Sequence, residues 1–239
     1  MDSGSLVALS QQRALQRSME VVAQNLANAN TEGYKSEKLC FKNLIKKASV
    51  NHDLSYVVER GALRDFSEGP GKTTDNPLHL MIHGTGFFPI QTEWGTYYTR
   101  CGVFELNAEL EIVTASGDPL LAEDGLPIVV PEGTKNITVA RDGTISADQH
   151  VMGRIKAHTF KNEQNLVPEG HNLFSAQEKP VVNNSAEILQ GMVEQSNVNP
   201  IYEMTRMIEI LRRYQEIQHA MNSHKERQDN SIDRLVKII

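Results

Sequence analysis

The chain has 239 residues, of which 39% are hydrophobic and 6% aromatic, and its formal net charge is −6 at pH 7. Such a length allows one large domain or a domain with an extension. The acidic balance excludes the broad basic surface that holds a nucleic-acid backbone, so we expect no nucleic-acid partner. The two cysteines, Cys40 and Cys101, are too few for a disulfide framework.

The beginning of the chain lacks the usual signals for export or membrane insertion. Its first side chains carry no positive charge, and the apolar run from Leu6 to Leu9 is too short for the core of a signal peptide. No stretch approaches the roughly 18 apolar residues of a membrane span. These rules leave two destinations open, which are the cytoplasm and export by a route that reads no cleaved signal.

Residues 1–33 are predicted to form an amphipathic N-terminal helix. Its apolar face is marked by side chains at spacings of four and three, namely Leu15, Met19, Val22 and Leu26. The pattern stops at a polar run over 28–33, where Gly33 can take the left-handed conformation that closes a helix. Residues 34–53 follow as a connecting segment, whose pattern does not decide between a short helix and an extended strand.

Residues 54–182 are predicted to form an inserted β domain. Short apolar runs of strand length alternate there with turn signals, among them Gly69-Pro70-Gly71, Asn76-Pro77 and Asp142-Gly143. Turns this frequent are typical of an antiparallel sandwich or an irregular barrel.

Residues 183–239 are predicted to form the C-terminal helical segment. Asn199 is a good N-cap, and Pro200 suits the first helical position because its missing N–H is not needed there. A helix from there to Ile239 would be about 58 Å long. Its charges exclude a membrane span. The apolar side chains that follow at helical spacing are Met204, Met207, Ile210, Leu211, Tyr214, Ile217 and Met221.

These segments together predict an α+β fold. Long N- and C-terminal helices pair as a coiled coil, and a mainly antiparallel β domain is inserted between them. Two narrow apolar faces would be marginal in a lone monomer, so we expect them to pack against copies in an assembly. The predicted assembly interface comprises Leu15, Met19, Val22, Leu26, Met204, Met207, Ile210, Leu211, Tyr214, Ile217 and Met221.

The segment from Ala23 to Lys35, read as A-Q-N-L-A-N-A-N-T-E-G-Y-K, resembles the N-terminal signature of the bacterial flagellar axial proteins, which form the rod and hook. The resemblance continues along the chain through 82–88, 98–100, 113–117 and 142–144, and it ends in Q-S-N-V-N-P and E-M-T-R-M-I at 195–200 and 203–208. The stretch 61–70 and the modest length resemble proximal-rod members more than distal-rod members.

The resemblance implies a structural subunit of the flagellar basal-body rod. Such a subunit self-assembles with its own copies and with other rod proteins into the axial drive shaft that transmits torque to the hook. It implies export through the flagellar type III apparatus without a cleaved signal peptide, into a rod that spans the periplasm. No enzyme activity, cofactor, metal, small-molecule substrate or nucleic acid is implied.

Three positions depart from the pattern of this family. Cys101 stands where an Asp usually follows Tyr-Thr-Arg, Leu110 stands where a Gly usually makes a turn, and Gln24 replaces a common Asn. Because a branched side chain is strained in the left-handed conformation, Leu110 is expected to disfavour that turn geometry. None of the three departures lies on the predicted interface.

Other functions remain open from the sequence. One alternative is a distal-rod or hook-type axial protein, and another is a β-domain enzyme or carbohydrate-binding module with a coiled-coil handle. The signals for chemistry are weak: Gly84-Thr85-Gly86 lacks the third glycine of a phosphate loop, and His79 and His83 would lie about 13 Å apart on a strand, too far for one zinc ion. Cys101 has no motif of a nucleophile, and acidic residues beside Gly and Pro suit turns. An enzyme would be distinguished by a closed pocket with converging carboxylates of shifted pKa.

Overall fold

The computed structural model describes residues 3–47 and 53–236, which form an α+β fold with antiparallel sheets. The chain divides into two compact units. The helical unit contains the described residues of 1–27, 37–65 and 199–239. The sheet unit contains 28–36 and 66–198. The chain therefore passes between the units four times, at 27/28, 36/37, 65/66 and 198/199.

Both predicted helices are present in the helical unit. Helix α1 is Ser3–Ala27 and helix α2 is Pro200–Val236. The predicted N-cap is confirmed, because the Asn199 Oδ1 atom accepts hydrogen bonds from the N–H groups of Ile201 and Tyr202 at 3.1 and 3.2 Å. The two helices contact each other.

Helices α1 and α2 run antiparallel. Near the start of α1, Gln12 Nε2 donates to Tyr214 Oη at 2.8 Å, far along α2. Near the end of α1, Asn25 Nδ2 lies 3.5 Å from Glu203 Oε1, at the beginning of α2. The apolar faces of the helices can therefore meet along most of α1.

A long hairpin completes the helical unit. Strand β1 (Glu37–Lys47) pairs with β2 (Asp53–Arg64) in antiparallel register from Glu37↔Arg64 to Lys47↔Asp53, with a bulge between Cys40 and Phe41. The sequence pattern left all of β1 undecided and assigned 54–64 to the β domain. The structure differs because β1 and β2 satisfy each other's backbone groups and contact α1, which a local pattern does not reveal. Residues 48–52 of the expected connecting segment lie outside the described residues.

The sheet unit consists of short antiparallel strands. They are β3 (Gly71–Thr73), β4 (Leu80–His83), β5 (Phe88–Thr92), β6 (Gly95–Thr99), β7 (Phe104–Leu106), β8 (Ile112–Thr114), β9 (Ile137–Val139), β10 (Thr144–Ala147), β11 (His150–Arg154), β12 (Ala157–Thr159), β13 (Val167–Gly170), β14 (Leu173–Ser175), β15 (Val181–Asn183), β16 (Glu187–Gln190) and β17 (Met192–Glu194). A short 3-10 helix covers Glu163–Asn165.

These strands form several small sheets around a main apolar core and a second, aromatic cluster. The orders are β13-β14-β6-β5 and β11-β10-β9, and the remaining pairs are β12-β15, β16-β4, β17-β3 and β7-β8. The main core includes Ile82, Phe88, Phe104, Ile145 and Ile155, all nearly or fully buried. A second cluster is aromatic, with edge contacts among Phe66, Phe87 and Phe174.

The C-terminal helical segment begins later than the sequence analysis expected. It was expected from residue 183, but β16 and β17 occupy 187–194 and α2 starts at Pro200. Strand β16 pairs with β4 and β17 pairs with β3, more than 100 residues earlier in the chain. These distant partners bury Ile188 and Val193, so tertiary contacts rather than local pattern decide the structure here.

Leu110 keeps the left-handed turn that the sequence analysis expected it to disfavour. Its φ is +63°. Hydrogen bonds hold both sides of the turn: Glu111 N–H donates to Asn107 Oδ1 at 2.7 Å, and Val130 N–H donates to the Leu110 carbonyl at 2.8 Å. The expectation was wrong because these bonds maintain the conformation against the strain of a branched side chain.

Candidate assembly surface and chain junction

The predicted interface residues divide into a packed group on α1 and α2 and an exposed pair on α2. Val22 and Ile210 are buried, and a second group is partly buried: Leu15, Met19, Leu26, Met207, Tyr214, Ile217 and Met221. Met204 and Leu211, in contrast, are 49% and 39% exposed. The structure thus brings most of the predicted residues into the packed part of the helical unit and leaves these two outside it.

Met204 and Leu211 belong to a second apolar stripe that the sequence analysis missed. Ile201, Met204, Ile208 and Leu211 recur at spacings of three, four and three, which places them on one face of α2. Ile201 and Ile208 are 76% and 52% exposed. We name these four residues the outer stripe. The spacing of these four residues in the sequence is already that of an apolar helix face. The sequence analysis grouped two of them with the neighbouring buried stripe and so did not recognise a second face.

Two grooves cross the surface of the helical unit. The first has a volume of about 510 Å³ and lies between α1, the hairpin and α2, with Leu15, Ile210 and Ile217 in its lining. The second has a volume of about 480 Å³ and lies between α1 and the hairpin. Four large side chains of the second groove are partly exposed, and we name them the hairpin groove residues: Leu6, Leu9, Phe41 and Val58.

Asn25 joins the end of α1 to the start of β1. Its side chain is fully buried and pairs with both backbone groups of Glu37. Asn25 Nδ2 donates to the Glu37 carbonyl at 2.9 Å, and Glu37 N–H donates to Asn25 Oδ1 at 3.0 Å. This amide imitates a peptide group of a neighbouring strand, so an Asn at this position of the signature fixes the path of the chain after the helix.

A buried charge cluster lies where the chain enters and leaves the sheet unit. We name Lys35, Arg100 and Glu194 the junction cluster. Lys35 Nζ lies 2.5 Å from Glu194 Oε1, and Arg100 Nε lies 2.6 Å from Glu194 Oε2. All three side chains are at most 3% exposed. Burial lowers the pKa of Lys35, and the nearby Glu194 carboxylate opposes this effect.

Backbone hydrogen bonds surround the junction cluster. Gly33 N–H donates to the Glu194 carbonyl at 2.8 Å, and Ser36 N–H donates to Asn197 Oδ1 at 2.8 Å. Gly33 has a φ of +70°, and a Cβ atom there would lie 2.4 Å from the backbone nitrogen of Cys101. The predicted role of Gly33 was therefore wrong: α1 already ends at Ala27, and this glycine allows a close approach of two backbones.

A second ionic contact lies at the turn after β4. Glu68 Oε2 accepts from Gly84 N–H at 2.9 Å, and Glu68 Oε1 lies 2.9 Å from His83 Nδ1. The hydrogen bond to Glu68 raises the pKa of His83. Burial acts to raise the pKa of Glu68, but the bonds from Gly84 and His83 outweigh it, so this pKa lies below its ordinary value.

The described residues provide no metal centre or membrane helix. Within 3–47 and 53–236, no three His, Cys, Asp or Glu side chains come together as a metal-binding group. Neither α1 nor α2 is apolar enough to cross a membrane over its described length. Cys40 and Cys101 are both free thiols, and burial raises the pKa of Cys101.

Three family descriptions match successive parts of the chain. Residues 6–35 match "Flagella basal body rod protein", residues 81–147 match "Flagellar hook protein FlgE/F/G D1 domain", and residues 189–234 match "Flagellar basal body rod FlgEFG protein C-terminal". The first and third cover most of α1 and α2, and the second covers most of the main core of the sheet unit. The class defined by these matches is that of the flagellar axial proteins.

Curated relatives agree with this class over the whole chain. The flagellar basal-body rod protein FlgF of Caulobacter vibrioides is 35% identical over 100% of both chains, and FlgF of Mesorhizobium japonicum is 31% identical over 98% of both. FlgG of Buchnera aphidicola subsp. Acyrthosiphon pisum is 31% identical over 84% of this chain and 88% of its own. The chain belongs to the flagellar basal-body rod protein family, as a structural subunit of the rod and not an enzyme.

Proposed function

We propose that this rod subunit assembles with its own copies and with other rod proteins through the helical unit, and that the assembled shaft transmits torque to the hook. The single observation that carries the proposal is the outer stripe. Four large apolar side chains on one exposed helix face are costly in water, and a neighbouring subunit would cover them.

The helices pair as a coiled coil in this proposal. Supporting it, the partly buried face of α2 contains residues at spacings of three and four: Met207, Ile210, Tyr214, Ile217 and Met221. The corresponding face of α1 contains Leu15, Met19, Val22 and Leu26 at spacings of four, three and four. Both series follow the seven-residue period of a coiled-coil seam. The seam lies within one subunit, while the outer stripe meets a neighbour.

The hairpin groove residues are the proposed acceptor for the outer stripe of the next copy. The two surfaces differ from each other and both belong to the helical unit. A contact between different surfaces of identical subunits is heterologous, and such contacts form helical arrays when the rotation does not close. A helical array of identical subunits has the elongated form that a shaft requires.

We also propose that the subunit is exported through the flagellar type III apparatus without a cleaved signal peptide. The rod that it joins spans the periplasm in this proposal. The packing of α1 supports it, because Val22 and Asn25 are buried in the helical unit. Removal of this helix by a signal peptidase would expose the apolar faces that it covers.

A proximal rod position is proposed, with a distal-rod or hook-type position as the alternative. FlgF relatives support the first through matches over 98% to 100% of both chains. FlgG relatives support the second at about the same identity over a smaller share of this chain. Basal bodies from a strain that lacks the gene distinguish the two: loss of the proximal member stops the rod before its distal part forms.

A matched pair of variants tests the assembly surface. We expect Ile208→Asp, on the outer stripe, to change the free energy of unfolding by less than about 0.5 kcal/mol and to prevent entry into the rod. We expect Ile210→Asp, on the buried seam, to lower that free energy by roughly 3 kcal/mol, because it buries a carboxylate. Urea unfolding of the purified proteins and electron microscopy of basal bodies in a complemented null strain measure both effects.

Ala220→Asp is the control, since this exposed α2 residue lies on a helix face away from the outer stripe. It should fold and enter the rod normally. Normal rods built from Ile208→Asp subunits would refute the assembly surface. Complete rods in the null strain would refute the wider proposal.

A further inference from the structure

Glu194 receives two cations from distant parts of the sequence. Lys35 lies 159 residues earlier and Arg100 lies 94 residues earlier. Gly69 N–H also donates to Glu194 Oε1 at 2.8 Å. Buried ion pairs of this kind often contribute less stability than well-packed apolar side chains of similar volume, because three charges must lose their water. The cluster therefore needs an explanation other than stability alone.

The partners of Glu194 belong to the segments through which the chain enters and leaves the sheet unit. Lys35 precedes the passage at 36/37, and its Nζ also donates to the Ser67 carbonyl at 2.6 Å, next to the passage at 65/66. Asn197 precedes the passage at 198/199, and its Nδ2 lies 3.3 Å from the same carbonyl. One network thus connects three segments that lead to the helical unit.

The members of the junction cluster are held unequally. Arg100 donates to the carbonyls of Ile82, Gly84 and Gly86, which lie in strand β4 and in the turn that follows it. The sheet unit therefore fixes the guanidinium, and the guanidinium fixes Glu194 at the end of β17. Lys35 lies in a segment without regular secondary structure, and its Nζ contacts Glu194 Oε1 and the Ser67 carbonyl. Glu194 therefore provides a charged contact that ties Lys35 to the end of β17.

We infer that Glu194 is a positioning residue that acts as a latch: by capturing Lys35, it orders residues 28–36 against residues 194–197. Glu194 is the last residue of β17 and pairs with Gly71 of β3, so the latch depends on this pairing. A chain with an incomplete sheet unit then lacks fixed exit points for its two terminal helices. The consequence for rod assembly rests on the proposed function, whereas the latch itself is a property of the isolated chain.

Hydrogen exchange of the purified full chain, read by mass spectrometry, tests the latch. We expect Lys35→Met and Glu194→Gln each to accelerate amide exchange in 28–36 by about tenfold or more, since both variants free this segment locally. Peptides that cover β4 and β10 should keep their protection. Arg154→Met is the control: it breaks an exposed ion pair with Asp142 in the same unit and should leave 28–36 unchanged.

The double variant Lys35→Met/Glu194→Gln separates a latch from two independent structural roles. If Glu194 acts by holding Lys35, the second substitution adds nothing to the exchange rate of 28–36. Three results would each overturn the inference. The exchange rates of the single variants could multiply in the double variant, both single variants could keep normal protection, or protection could fall equally across the whole sheet unit. If Glu194→Gln fails to fold, the exchange rate of 28–36 in Lys35→Met tests the inference by itself, because this variant leaves the Arg100–Glu194 pair intact. None of these readouts requires the chain to enter a rod.

Discussion

Leu110 shows that hydrogen bonds can hold a backbone conformation in which the side chain is strained. A non-glycine residue in the left-handed region costs roughly 1–2 kcal/mol. We expect Leu110→Gly to have a free energy of unfolding about 1 kcal/mol above that of Leu110→Ala. Both variants remove the leucine side chain beyond Cβ, so their difference reports the strain at φ +63° less the greater backbone entropy of glycine in the unfolded chain. Urea unfolding measures it, and an alanine variant at least as stable as the glycine variant would contradict the expected difference.

The contact between His83 and Glu68 gives the sheet unit a pH-dependent contribution. The pKa of His83 is raised above 6.5 in the folded state, so its contribution is fully present below pH 6.5 and is lost as the pH rises through the folded value. The pKa of Glu68 is lowered below 4.5, so its contribution is present above pH 4.5 and is lost as the pH falls through the folded value. The contact is therefore strongest between these two limits.

We expect His83→Gln to lower the melting temperature most at about pH 6 and progressively less towards about pH 8. Thermal unfolding of wild type and variant across this range measures the difference. His150→Gln, at an exposed histidine of β11, is the control. A gap between wild type and His83→Gln that is constant with pH would contradict the assignment of the charged contact.

At the scale of elements, the Asn199 side chain stabilises the start of α2. Asn199 satisfies two N–H groups that have no partner within the helix. We expect Asn199→Ala to lower the stability of the first turn by about 1 kcal/mol and to accelerate amide exchange there. Asn222→Ala, at an exposed position inside α2, provides the comparison and should not slow or accelerate exchange at Ile201 or Tyr202. Equal exchange in both variants would contradict the capping role.

Elements with local signals were predictable, and elements that depend on distant partners were not. Asn199 and Pro200 mark the start of α2, and turn signals predicted the β character of the sheet unit. Strands β1, β16 and β17 escaped prediction because each is specified mainly by its pairing partner. The outer stripe was visible in the spacing, but only the structure shows which of two apolar faces remains exposed.

At the scale of the whole molecule, the sequence drew attention to two of the three residues of the junction cluster. Lys35 and Arg100 lie in segments that carry the resemblance to flagellar axial proteins, although the resemblance gave them no role. Glu194 had no signal of its own, because its partners are separated from it by 159 and 94 residues. Charge pairing over such distances becomes predictable only when the positions of these three segments in the fold are known.

We expect the hydrogen bonds of the same junction to carry mechanical load. A pull or twist that reaches the sheet unit through Ser36 or through Val198 acts on two backbones already tied together by the bond from Asn197 N–H to the Tyr34 carbonyl and by the Ser36–Asn197 bond. Force can therefore cross from one entry point to the other within a few residues. The apolar core around Phe88 and Ile145 lies outside this short path. We therefore expect stiffness under torque and resistance to unfolding to depend on different residues of the same unit.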